Sequence, residues 1–245
     1  MCCNWQVNQH SNSFFIGLPL MEHVLDNPAY NALATGNKQL AKGNEQIKYF
    51  DKEVSPFIGF AAYQPDNFQQ LYDLIPHNGP VGFVSPIEVE IPAIWKVLNA
   101  IKCLQMVYTG DTIPTDISID LVALTDEHIP QMLELTKLTN PGPFAPRTID
   151  FGYYYGIFDG DKLVTMAGQR MHPSPYAEVS AVCTHPDYIG KGYAKALLQF
   201  HINRIKVAGN IPFLHVRTDN ERAITVYETM GFETRREICF YIMKK

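Results

Sequence analysis

Short apolar runs of period two alternate with longer stretches of period three to four along most of the chain, the pattern of strands separated by helices. In the first half, DNPAYNALATGNKQLA predicts a helix starting near Asp26 or Asn27, and IKYFD and PFIGFAAY then read as strands. PDNFQQLYDLI places Phe68, Leu71, Tyr72 and Ile75 on one helical face. VGFVS and CLQMVYT read as strands, with IPAIWKVLNA a short helix between them, and the turn formers of TGDTIPTD, Thr109 to Asp116, mark a linker.

Beyond the linker the pattern is more regular. ISIDLVAL is a strand pattern, and TDEHIPQMLELTKL is an amphipathic helix capped by Thr125 or Asp126, stopped by Pro141, Pro143 and Pro146. FGYYYGIFDGDKLVTMAGQRM reads as a hairpin turning at Asp159-Gly160. AEVSAVCT is a strand, PDYIGKGYA leads into a helix with Ala194, Leu197, Leu198, Ile202 and Ile205 on one face, and IPFLHVRT is a strand. NERAITVYETM is a short helix stopped at Gly231, and EICFYIMK is a last strand. The chain thus divides into an α/β half over residues 1–110 and a second over 117–245.

Composition narrows the function. With 46% apolar and 18% charged residues the 245-residue chain is globular, and its length suits two compact units sharing an interface. A net charge of −5 gives no global positive field for nucleic acid or an anionic membrane, so a polyanionic ligand must be held locally. There is no uninterrupted apolar run of about 18 residues, and MCCNWQVNQHSNSF lacks a basic region followed by an apolar one, so the cytoplasm is the expected location. The 5 cysteines, Cys2, Cys3, Cys103, Cys183 and Cys239, are widely spaced without a CxxC pair, which predicts reduced thiols and no metal.

One stretch carries a ligand signal. In CTHPDYIGKGYAKALL, residues 183–198, the small residues of Gly190 to Ala194 form a turn that opens directly into a helix. The first N–H groups of such a helix point outward and hold anions at the positive end of its dipole. A P-loop is ruled out because Gly192, not Ser or Thr, follows Lys191, and a dinucleotide fingerprint fails at Lys195, where Gly or Ala belongs.

VCTHPDYIGKGYA from Val182 to Ala194, NERA from Asn220 to Ala223 and YETMGF from Tyr227 to Phe232, with a strand before the first and another before the second, together resemble the GNAT superfamily of acyl-CoA-dependent N-acyltransferases. The resemblance covers about residues 117–245. It implies an α/β fold with a mixed, mostly antiparallel twisted sheet flanked by helices, and acetyl-CoA as acyl donor. The first half, similar in its alternation but without a glycine turn, is expected to be a degenerate GNAT-like unit lacking a second coenzyme site.

By resemblance, backbone groups of Gly190, Lys191, Gly192, Tyr193 and Ala194 hold the pyrophosphate of coenzyme A, and Val182, Cys183 and Thr184 pair with the pantetheine amides. Asn220 caps a helix and contacts the coenzyme, while Ala223 is small enough to let it pass. The pattern departs from the family at Ile189, where Arg or Gln is usual, so the turn must depend on backbone amides with Lys191 and Lys195 nearby.

Acetyl transfer needs a neutral amine, a route for its proton and an acid for the departing thiolate. Tyr227 matches the family's thiolate-protonating tyrosine, and Glu178 falls where several members place a general base. His185 and His215 are alternative proton acceptors. Arg147, Tyr153 to Tyr155, Gln169, Arg170 and Arg217 fall on elements that line the acceptor side in the family, where an arginine suits a carboxylate. The expected function is direct acetylation of a primary amine of a small molecule such as an amino acid. The alternative is a non-catalytic CoA-binding or interaction module on the same fold; Tyr227 and Glu178 together favour the enzyme.

Overall fold

The structure, a computed structural model, describes residues 23–64, 66–110 and 119–245; Cys2, Cys3 and most of the linker lie outside them. The first half contains α1 (Pro28–Ala34), β1 (Lys42–Gly43), β2 (Ile47–Tyr49), β3 (Phe57–Phe60), α2 (Asn67–Leu74), β4 (Val81–Ser85) and β5 (Lys96–Tyr108). The second contains β6 (Val122–Ala123), α3 (Ile129–Thr139), β7 (Tyr155–Asp159), β8 (Lys162–Gln169), β9 (Tyr176–Thr184), α4 (Tyr193–Val207), β10 (Ile211–Arg217), α5 (Glu221–Thr229) and β11 (Phe232–Lys244).

These strands form one 11-stranded sheet in the order β1-β2-β3-β4-β11-β5-β10-β9-β8-β7-β6. Only β3–β4 and β9–β10 are parallel, and each of these pairs is connected through a helix, α2 or α4, as a parallel pair requires. The halves exchange their last strands. β5 lies between β10 and β11, and β11 pairs with both β5 and β4.

Alternation along the strands sends successive side chains to opposite faces. On one face α1 and α3 bury Ala29, Leu33, Met132 and Leu135 in a cluster with Cys183, Phe213, Ile238 and Phe240. On the other, α4 and α5 cover Ala177, Val179, Leu214 and Val216. α2 packs Phe68 and Leu71 against Cys239, Tyr241 and Met243, the positions of β11 that alternate with Ile238 and Phe240. Among the described residues no helix is long and apolar enough to cross a membrane.

The sequence pattern misplaces one element. Lys96 to Ala100, expected in a helix, extends β5, because residues from Lys96 to Ala100 pair with β11 between Lys244 and Tyr241. Those five residues are exposed, so ladder hydrogen bonds rather than apolar burial set their conformation. Just before them Trp95 is buried and donates its indole N–H to the Phe68 carbonyl at 2.9 Å, which ends the turn.

Candidate active site

β9 and β10 pair only over Tyr176 to Glu178 against Ile211 to Phe213. Beyond that point the β8–β9 register shifts between Gly168↔Ser180 and Met166↔Cys183, and Ala181 adopts φ 53°. This is a bulge, which bends the strand it interrupts. β10 continues against β5 as far as Arg217, while β9 from Val179 to Thr184 has no strand partner on its β10 side among the described residues. The resulting wedge exposes a row of backbone groups to which an extended, amide-bearing chain adds as a strand does. Val182 packs toward α4 and α5. The side chain of Cys183 is buried on the opposite face, where burial pushes the thiol up to about 12, so it offers the wedge only its backbone. Thr184 has a buried hydroxyl with no partner among the described residues.

A single turn of 3-10 helix, Pro186–Tyr188, carries the chain from β9 to the glycine turn. Gly190 and Gly192 have φ of 87° and 80°, and a Cβ at either would meet nothing within 4 Å. Their role is therefore conformational, and they leave open space at the start of α4. Gly192 is the N-cap, so no side chain satisfies the first N–H groups of this helix. The Nζ of Lys191 sits 4.4 Å over the Tyr188 ring, beside the turn. Ile189 is 47% exposed, its backbone N–H donates to the Pro186 carbonyl at 3.3 Å, and its side chain brings no polar group to the turn. His185 is engaged through both nitrogens: Nδ1 accepts from the Asp187 N–H at 3.3 Å and Nε2 lies 3.0 Å from the Lys162 Nζ.

Across the wedge, the side chain of Asn220 accepts from the Ala223 N–H at 3.2 Å and caps α5, and half-buried Ala223 packs near Leu214 and Val216. One turn further, Tyr227 is half-buried in the cluster that holds Val179, Val182 and Leu198. Its hydroxyl has no hydrogen bond to a described residue. Burial, reinforced by the nearby Cys183, pushes it up to about 12, so at neutral pH it is a proton donor and not a base.

Glu178 has a different environment from that expected of a base. Its carboxylate is 1% exposed and accepts two parallel bonds from Arg170, Nε to Oε2 at 2.9 Å and Nη2 to Oε1 at 2.6 Å. It also accepts from the Met171 N–H at 3.2 Å and from His215 Nδ1 at 2.7 Å. Although burial opposes its ionisation, the Arg170 charge and these bonds hold it at about 2. A carboxylate that reluctant to take a proton is a poor general base.

The network continues into the first half. The side-chain nitrogen of Gln105 lies 3.0 Å from His215 Nε2 and donates to the Leu25 carbonyl at 2.9 Å, while its oxygen accepts from Arg235 at 2.7 Å. Since the amide nitrogen can only donate, His215 accepts at Nε2 and is the neutral Nδ1–H tautomer. Arg235 is the extra residue of a bulge in β11, which lets it and Arg236 both bond to Oδ1 of buried Asp26, at 2.7 and 2.9 Å. These partners escape the sequence because neither Gln105 nor the Arg235–Arg236 pair belongs to a motif; a polar residue at a core position of an apolar strand was the available signal.

A small, partly open pocket lies on the α3 face against the bulge, lined by Pro141, Gly142, Pro143, Phe144, Thr148, Tyr154, Arg170, Ser180 and Ala181. The prolines that end α3 form one wall, and the free edge of β9 forms the other. Of the residues expected on the acceptor side, Arg170 and Tyr154 line this pocket. The others do not: Arg147 is tied to Asp126 and Asp150 at the surface, and Arg217 to Asp219 at 2.6 Å. Tyr155 packs on Phe200 of α4 at 4.3 Å between centroids, the guanidinium of Arg204 covers the exposed Tyr153 ring, and Gln169 is buried elsewhere.

The model of the family described as FR47-like protein matches residues 154–241. The N-alpha-acetyltransferase RimI of Mycobacterium tuberculosis is 29% identical over 135 residues, 51% of this chain and 82% of that protein. A GCN5-related N-acetyltransferase from Kribbella flavida, 12% identical with a TM-score of 0.55, covers 89% of this chain and 96% of its own and shows the shared fold alone. A GNAT-family acetyltransferase structure from Novosphingobium aromaticivorans is 33% identical with a TM-score of 0.84, and the match covers 91% of this chain and 99% of that one. The likeness thus runs through both halves, the shared sheet included, and the chain belongs to the GNAT family of acetyl-CoA-dependent acetyltransferases.

Proposed function

We propose that the protein acetylates the primary amine of a small molecule, with Tyr227 as the acid for the departing thiolate. The observation that carries this reading is the wedge, which has the glycine turn at one end, Tyr227 on one face and the α3-side pocket on the other. Bound acetyl-CoA supplies a thioester carbonyl open to attack. The residues present fit it: the uncapped N–H groups of Gly190 to Ala194 and the Lys191 ammonium suit a pyrophosphate, and the free edge at Val182, Cys183 and Thr184 suits the pantetheine amides. Asn220 and Ala223 border the same space.

In the transfer the amine nitrogen bonds to the acetyl carbon and the carbon–sulfur bond breaks. The Tyr227 hydroxyl gives its proton to sulfur, the nitrogen releases its second proton to solvent as the amide forms, and Tyr227 regains a proton from solvent. Among the described residues that line the pocket none is a carboxylate or an imidazole, and we assign the ammonium proton to water, so that the amine reacts in its neutral form. Glu178 is assigned the task of holding Arg170. The acceptor is read as a small molecule; a protein terminus, the class suggested by the name of the RimI relative, is the competing reading.

We read residues 1–110 as a degenerate unit of the same kind. Its β3–α2–β4 segment repeats the parallel pair over a helix of β9–α4–β10, but AAYQPDN replaces the glycine turn. The test is thiol release from acetyl-CoA over a panel of amines. Tyr227→Phe is expected to lower kcat on the order of 10²-fold with unchanged acetyl-CoA affinity. A protein that binds acetyl-CoA but acetylates no amine is the non-catalytic module instead.

A further inference from the structure

We propose that Arg170 anchors a carboxylate of the acceptor, which makes the acceptor a short amino acid with its amine a few bonds from that carboxylate. This rests on the acetyl-transfer reading above and names its substrate class. Arg170 spends Nε and one Nη2 hydrogen on Glu178, while its Nη1 makes no hydrogen bond to a described residue and the side chain lines the pocket. A guanidinium fixed by one carboxylate along one edge keeps its remaining donors in a rigid orientation, the arrangement that suits planar oxygen acceptors.

Another observation points to an anion. The Tyr154 hydroxyl, on the same pocket, is buried and has no partner among the described residues, a cost that a carboxylate oxygen removes.

Ser180 and Ala181, at the free edge of β9, line the same pocket as the Arg170 side chain, so an acceptor anchored at Arg170 lies beside that edge.

The experiment compares three matched acceptor sets on the full chain: free amino acids, their carboxamides, and the amines lacking the carboxyl group. The expected kcat/KM is 10- to 100-fold higher for the acids, about what a charge-assisted hydrogen bond supplies. Acids are also expected to raise the thermal midpoint of the CoA-bound protein where amides do not. Because Arg170→Gln alone strands the buried Glu178, the variant is Arg170→Gln with Glu178→Gln, which is expected to erase the acid preference and keep acetyl-CoA affinity. Amides, plain amines or free-N-terminus peptides acetylated as well as the acids would overturn this inference and leave acetyl transfer standing, as would a double variant that keeps the preference. Absence of transfer to every acceptor would overturn both.

Discussion

Glu178→Gln separates a base from a structural carboxylate. In the wild type both oxygens accept, Oε1 from Arg170 and His215 and Oε2 from Arg170 and the Met171 N–H. An amide nitrogen in place of either oxygen points donors at donors and leaves the Arg170 guanidinium, 11% exposed, without its counter-charge. The folded state holds Glu178 at about 2 against an ordinary 4.5, which corresponds to about 3 kcal/mol of stability from this group. Removing one partner of a buried ion pair costs a similar amount, about 3–5 kcal/mol. Urea unfolding at pH 7 should therefore show the variant destabilised by about 3 kcal/mol. The sign of the pH dependence follows from the depressed value: the contribution is complete above 4.5 and is lost as pH falls through about 2, so the wild type should weaken across that window where the variant does not. Wild-type stability in Glu178→Gln, combined with lost turnover, would refute this reasoning and return Glu178 to the role of base.

Three other outcomes are expected. Gly192→Val places a branched side chain at φ 80° in open space, and calorimetry should find acetyl-CoA binding at least about 10-fold weaker through strain in the turn; unchanged affinity would remove the turn from the site. His201 is fully buried, its ring approaching the Ala167 backbone without closing a hydrogen bond, and burial lowers it to about 4. Since the unfolded chain takes up this proton near 6.5, stability should fall by about 3 kcal/mol as pH drops from there to 4, and His201→Met should flatten that slope in urea titrations. The kcat/KM for the acceptor should climb with the acceptor's own ammonium titration and show no falling limb below about pH 11, because Tyr227 titrates near 12; a falling limb near pH 9 would name another acid.

What the sequence discloses is what backbone rules write into residue choice. Gly190 and Gly192 are readable because left-handed backbone demands glycine, and the hairpin at Gly160, with φ 58°, is readable for the same reason. The helical face of Leu197, Leu198, Ile202 and Ile205 follows from periodicity, and all four are buried. Glu178 is visible as a carboxylate beside the site, but its partners come from β8, β10 and, through Gln105, β5, so its ionisation depends on pairings that no local pattern records. The acceptor side is hard to read from sequence for a related reason. Arg147, Arg170 and Arg217 are equivalent as letters, and only the bulge at Ala181 and the wall of Pro141 and Pro143 distinguish the one that lines a pocket.

The exchange of β5 and β11 means that neither half holds a finished sheet of its own. Residues 117–245 produced alone would leave β10 and β11 each with an empty edge where β5 belongs, and the natural way to fill it is the same strand from another molecule. The two halves are interlocked rather than appended, so they are expected to unfold together. The first half, without a glycine turn of its own, lends the second the strand that completes its sheet.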